Sequence, residues 1–200
     1  MTSKSDTLTT PDKRTPTGIA ALDEKIYGGL PEFGLGILYL PDPELELKVL
    51  THMLVKMAEQ NVNLMVMTDS IETTPVLRSN AIRGRLVHMH EVHTPAQALA
   101  RSEMFGVHPP AVGFVYMKCL DSSWREQLYY TQQLEMLSRK KPAFYWLIVQ
   151  AAYNERKRTE GMHFASLALE ASNAGFRLIK NQYSAQDTLL HNWEIDTADV

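Results

Sequence analysis

Gly36-Ile37-Leu38-Tyr39-Leu40-Pro41-Asp42-Pro43-Glu44-Leu45-Glu46-Leu47-Lys48 is the stretch on which the reading of this chain turns. Gly36–Leu40 is an apolar run short enough for a buried strand, and two prolines then interrupt the backbone. From Glu44 to Gln60 the apolar positions Leu47, Leu50, Leu54 and Met57 recur at helical spacing. Strand, tight loop and helix therefore follow one another within one short segment.

The same alternation continues downstream. Val62–Thr68 reads as a strand covered on both faces, Thr74–Arg83 as a helix, and Arg85–His90 as a strand. Pro95–Met104 follows as a helix with proline in its first turn, then Val112–Met117 as a strand. Ser122–Lys140 is a long helix with Trp124, Leu128, Leu134 and Leu137 among its buried candidates, and Ala143–Gln150 is the next strand. Strands alternating with helices imply parallel βαβ units with right-handed crossovers. Near the end the pattern changes. Phe164–Ala171 and Phe176–Lys180 read as an antiparallel hairpin around Asn173-Ala174-Gly175, and Leu189–Ile195 as one further strand. The expected fold class is α/β: a mostly parallel sheet flanked by helices, with a C-terminal antiparallel hairpin. Residues 1–16 read as a flexible tail and residues 17–200 as one domain.

Upstream of the strand lies Thr17-Gly18-Ile19-Ala20-Ala21-Leu22-Asp23 and then Gly28-Gly29-Leu30-Pro31. This T-G-x-x-x-L-D…G-G-L-P lead resembles the entry to the RecA-like ATPase core, whose first strand runs into G-x-x-x-x-G-K-[ST]. In such a loop glycines let backbone N–H groups curl around phosphate, the lysine neutralises it, and the hydroxyl holds Mg²⁺. In the same register this chain has Pro41 and Glu46 for the glycines, Leu47 for the lysine and Lys48 for the hydroxyl residue. Pro41 and Pro43 remove two donors, and Asp42, Glu44 and Glu46 repel a polyanion. A one-residue shift puts Lys48 at the lysine position but restores no glycine and leaves Val49 in the Ser/Thr slot. The strand that would end on a Mg²⁺-holding aspartate ends on Met117 and Lys118, a cation where a metal ligand belongs. Asp69 or Glu72 stands where the resemblance places a water-activating acid, with neither phosphate nor metal ligands to serve; each also reads as a solvated acid or helix cap. The expectation is a RecA-like fold without catalysis and without a nucleotide or other cofactor.

A RecA-like core with such a loop is similar to the SulA/ImuA group of bacterial DNA-damage-response proteins. Thr17–Asp23, Gly28–Pro31 and Glu46-Leu47-Lys48-Val49-Leu50 resemble the ImuA branch. Gly175-Phe176-Arg177-Leu178, with Asn181-Gln182-Tyr183, is at least as similar to the tail of SulA. The first branch implies an accessory factor of translesion synthesis that bridges a Y-family-like protein and RecA or the polymerase assembly. The second implies a cell-division inhibitor that binds FtsZ and blocks its polymerisation. A divergent RecA/KaiC-like ATPase is the catalytic alternative.

Other features are weaker. Arg156-Lys157-Arg158 reads either as a solvated basic loop or as a weak, non-specific DNA or partner contact. Tyr129 and Tyr130 are adjacent on a helix, so one is less buried than the other and is a candidate interface anchor. His88, His90 and His93 with Glu91 form the densest ligand-like cluster, but without CxxC or HExxH it reads as a pH-sensitive surface patch. A net charge of −3 makes no global electrostatic case for nucleic acid or an anionic membrane. The single Cys119 cannot form an internal disulfide, Met1–Arg14 has no secretory h-region, and no apolar run has the length of a membrane span. A cytoplasmic protein is expected, with homo-oligomerisation left open.

Overall fold

The computed structural model describes residues 14–82, 84–105, 111–119, 123–150, 160–172, 175–182 and 192–193. The chain begins with β1 (Arg14–Thr15), α1 (Ala20–Lys25), β2 (Leu30–Pro31) and β3 (Gly34–Tyr39). It continues through α2 (Pro43–Glu59), β4 (Asn63–Thr68), α3 (Pro75–Arg78), β5 (Val87–Glu91) and α4 (Pro95–Met104). Then come β6 (Ala111–Tyr116), α5 (Trp124–Lys140), β7 (Phe144–Val149), β8 (Leu167–Ser172), β9 (Gly175–Asn181) and β10 (Asn192–Trp193).

Eight of these strands form one sheet in the order β10-β9-β8-β3-β7-β6-β4-β5. The six from β8 to β5 run parallel, and β8, β9 and β10 pair antiparallel. The mostly parallel sheet with its C-terminal hairpin is thus the α/β architecture expected from the sequence. Right-handed crossovers put α2 and α3 on one face and α4 and α5 on the other, because the strand order reverses direction after β5. Strands β3, β6 and β7 are buried at every position, which accounts for their continuous apolar runs.

The tightest contact in the sheet is between β3 and β7. Gly36 lies opposite Trp146, and a Cβ built on Gly36 would stand 2.5 Å from the indole ring. Only hydrogen fits there, so Gly36 is required for close approach. Trp146 is fully buried and meets Phe144 edge-on at 5.3 Å. No described helix is long and apolar enough to cross a membrane.

Three local expectations are corrected. Residues 14–16 were assigned to the tail, but Arg14–Thr15 pairs with Leu30–Pro31 as an antiparallel ladder. The helix expected over Thr74–Arg83 is only Pro75–Arg78, because Ser79 is extended at φ −61, ψ 134. On α2 the buried stripe is Leu45, Val49, Leu50, Met53, Leu54 and Met57, whereas Leu47 is exposed. The helix starts at Pro43 behind an Asp42 cap, and its phase turns Leu45 and Glu46 inward instead.

Candidate functional site

Parallel strands align their carboxyl ends along one edge, where α/β folds hold their ligands. Here that edge collects Pro41–Glu46 after β3, Asp69 after β4, Tyr116–Lys118 at the end of β6, and Gln150 after β7. The sequence-read loop and strand-end residues lie along this one edge, and what they build is a polar network.

The loop itself is anchored by its own acid. Asp42 caps α2, accepting a hydrogen bond of 2.8 Å from the Glu44 N–H, and Pro43 occupies the first helical position. Asp42, Glu44 and Glu46 all sit at the positive end of the helix dipole, where an anion is favoured. A protein carboxylate thus meets the backbone donors that a phosphate would otherwise use.

Glu46 goes further. It is 1% exposed, and its carboxylate accepts hydrogen bonds from the Tyr116 hydroxyl at 2.8 Å and from the Gln150 side-chain amide. Burial, followed by the neighbouring Glu46 charge, holds the Tyr116 phenol far above its ordinary range, so it stays a donor. A buried carboxylate is tolerated only when hydrogen-bonded, and these two donors meet that condition from β6 and from the end of β7. Helix α2 is thereby tied to two central strands at the edge where a ligand would enter.

The lysine at the end of β6 is also paired internally. Lys118, in the 3₁₀ turn Met117–Cys119, lies 3.7 Å from Asp69 and 5.5 Å from the Tyr116 ring centre. Asp69 additionally accepts from the Thr68 hydroxyl at 3.0 Å. Its carboxylate therefore faces an ammonium ion, and the half-exposed pair is worth about 0–1 kcal/mol. Glu72, the other candidate acid, is exposed.

The lead-in forms a separate, self-contained staple. Asp23 accepts from the Thr17 N–H and hydroxyl, each at 2.8 Å, and from the Gly18 N–H at 3.3 Å. Burial pushes its carboxyl up, against the pull of those hydrogen bonds. Gly18 has φ +85, and an added Cβ would fall 2.3 Å from the Lys56 side chain. The T-G-x-x-x-L-D pattern is thus explained by turn geometry and packing against α2.

The remaining candidates are dispersed. Tyr129 is 62% exposed while Tyr130 is buried, as the helical spacing requires. Tyr129 and Met136 stand seven residues apart on the same exposed face of α5. Arg156, Lys157 and Arg158 lie outside the described residues. His88 is exposed and His90 half-buried on edge strand β5; burial, then Arg101 and His88, lower the His90 pKa. Among the described residues no group of three His, Cys, Asp or Glu is placed to hold a metal ion.

Sequence reasoning missed the Glu46–Tyr116–Gln150 and Lys118–Asp69 contacts. The only signal was chemical: an acid at an inward helix position, and a lysine closing an apolar strand. The chain matches no known protein family, and no curated protein matches it in sequence.

Proposed function

We propose that the chain is a non-catalytic RecA-like protein of the bacterial DNA-damage response that works by protein–protein contact. In this reading it acts as an ImuA-like accessory factor of translesion synthesis, which bridges a Y-family-like protein and RecA or the polymerase assembly. The observation that carries the non-catalytic reading is the buried Glu46 carboxylate, hydrogen-bonded by Tyr116 and Gln150 at the loop where a triphosphate would dock. The Lys118–Asp69 pair supports it, since a cation already faces the acid a metal would need. The ImuA-like assignment rests on the lead-in and on Glu46–Leu50. Tyr129 and Met136 on α5 are the residues this reading assigns to partner contact.

Melting the protein with and without Mg²⁺–ATP tests the first part. Ligand at 100-fold its Kd would stabilise the fold by about 2.7 kcal/mol, and the expected result is no nucleotide-dependent shift that requires Pro41–Glu46. A saturable shift that does require Pro41–Glu46 returns the chain to the ATPase class.

A second reading, a SulA-like inhibitor of FtsZ assembly, is favoured by β9, which carries Gly175-Phe176-Arg177-Leu178 on the hairpin. Expression in a rod-shaped bacterium separates the two. Normal division with recovery of a Y-family protein on affinity resin is expected; filaments together with blocked FtsZ sedimentation select the second reading.

A further inference from the structure

The flank of α2 that faces α3 carries an open groove of about 630 Å³. Lys48 and Thr51 line one wall, and Thr73, Arg78 and Ser79 line the other. A narrower groove of about 260 Å³ shares Thr51 and Ser79 and continues along α2 past His52.

Charge is the first unusual feature. The larger groove is lined by two cations and no carboxylate. Neither Lys48 nor Arg78 is within ion-pair distance of an acid among the described residues; even Glu44, one turn before Lys48, does not reach it. The one acid of the narrower groove, Glu59, pairs with Arg85 at 3.4 Å. Two like charges along one wall-to-wall gap repel each other until an anion enters.

The second feature is unsatisfied polarity at the same place. Thr51 is 7% exposed, and its hydroxyl has no hydrogen-bond partner. Two other buried helical hydroxyls, on Ser102 and Thr131, bond to the carbonyl four residues earlier. Thr51 does not, which leaves its oxygen for a guest in the groove. Beside it, the His52 ring donates from Nε2 to the Gly18 carbonyl at 2.7 Å, and its Nδ1 is buried without a partner. Buried polar atoms are almost always satisfied, so Thr51 on the wall of the larger groove, with His52 on its narrower continuation, offers polar capacity that a ligand can complete.

We propose that this groove is a binding site for an organic phosphate. The phosphate lies between Lys48 and Arg78 and takes hydrogen bonds from the Thr73, Ser79 and Thr51 hydroxyls. The organic part covers Leu47 and Pro75, which supply the apolar lining. A dianion suits two unpaired cations better than a carboxylate does, and the volume is that of a small-molecule site. Leu47 and Lys48 also end the degenerate loop, but the groove opens on the α2–α3 flank with Arg78 and Thr73 as its other wall, and the proposal does not rest on the functional reading above.

Phenyl phosphate and inorganic phosphate are the probes, titrated at constant ionic strength against chloride and followed by melting temperature and amide NMR shifts. A saturable response to phenyl phosphate is expected, with shifts clustered on residues 47–51 and 73–79. Arg78→Met and Lys48→Met, both at exposed positions, should melt like the parent protein without ligand and bind about ten- to a hundred-fold more weakly. Thr51→Val should also weaken binding. A response that fails to saturate, or that Arg78→Met leaves unchanged, overturns the site. Arg78→Met also separates this site from the loop: an ATP response lost in that variant belongs to the groove, and one retained belongs to the loop.

Discussion

Trp146→Ala lowers the unfolding free energy by about 3–5 kcal/mol, the largest loss expected from any single truncation in this chain. The indole is fully buried on β7, pressed against the bare backbone of Gly36 on β3 and against the edge of Phe144. Gly36 has no side chain to move into the vacated space, so the cavity persists. Against a typical total of about 5–15 kcal/mol, that loss leaves little stability in reserve. Trp146→Phe should cost much less, because it retains a ring and removes an indole N–H that has no hydrogen-bond partner. Gly36→Ala alone should cost about 1–3 kcal/mol by overpacking. Combined with Trp146→Ala it should recover stability, since its methyl enters the space the indole leaves. Urea unfolding of the four variants measures this coupling. Additive losses in the double variant would show that the two residues do not meet as described.

The second large effect is expected at Glu46. Glu46→Ala leaves the Tyr116 hydroxyl and the Gln150 amide without their carboxylate acceptor, at a cost of about 2–4 kcal/mol. Tyr116 bears most of it, being fully buried, whereas Gln150 is only partly buried and can recruit water. Glu46→Gln should cost less. Its carbonyl can accept from Gln150 while its amide donates to the tyrosine oxygen, so the network survives in neutral form. Chemical denaturation of both variants is the measurement, and equal losses for Ala and Gln would remove the hydrogen-bond explanation. Neither variant should gain nucleotide binding, because Pro41 and Pro43 remain.

The parts of this fold legible in the sequence were those governed by local pattern. The buried strands Gly36–Leu40, Val62–Thr68 and Ala143–Gln150 declared themselves by nearly unbroken apolar runs, and helical geometry required that one of Tyr129 and Tyr130 be exposed, though not which. The loop's departure from a phosphate-binding pattern was legible too, since proline and carboxylate stand where that pattern has glycine. What escaped was set at long range. Glu46 read only as a loop charge that repels a polyanion, because its partners come from β6 and the end of β7, distant in sequence. The phase of α2 was misread for the same reason: Asp42 and Pro43 fix where the helix begins, and an acid rather than Leu47 turns inward. Lys118 could be read as a lost metal ligand, but its pairing with Asp69 depends on β4 and β6 being neighbours. The α2–α3 groove left no signature, because its walls are ordinary surface residues until the two helices meet.

The position of β3 also bears on how the molecule is made. Strand β3 leaves the ribosome about a hundred residues before β7 and β8, which flank it. Throughout translation its backbone donors and acceptors have no permanent neighbours, and late closure around an early strand is slow and prone to association. Nascent chains released before Phe144 would thus carry a sticky, half-built centre, giving the cell a reason to shield or destroy them.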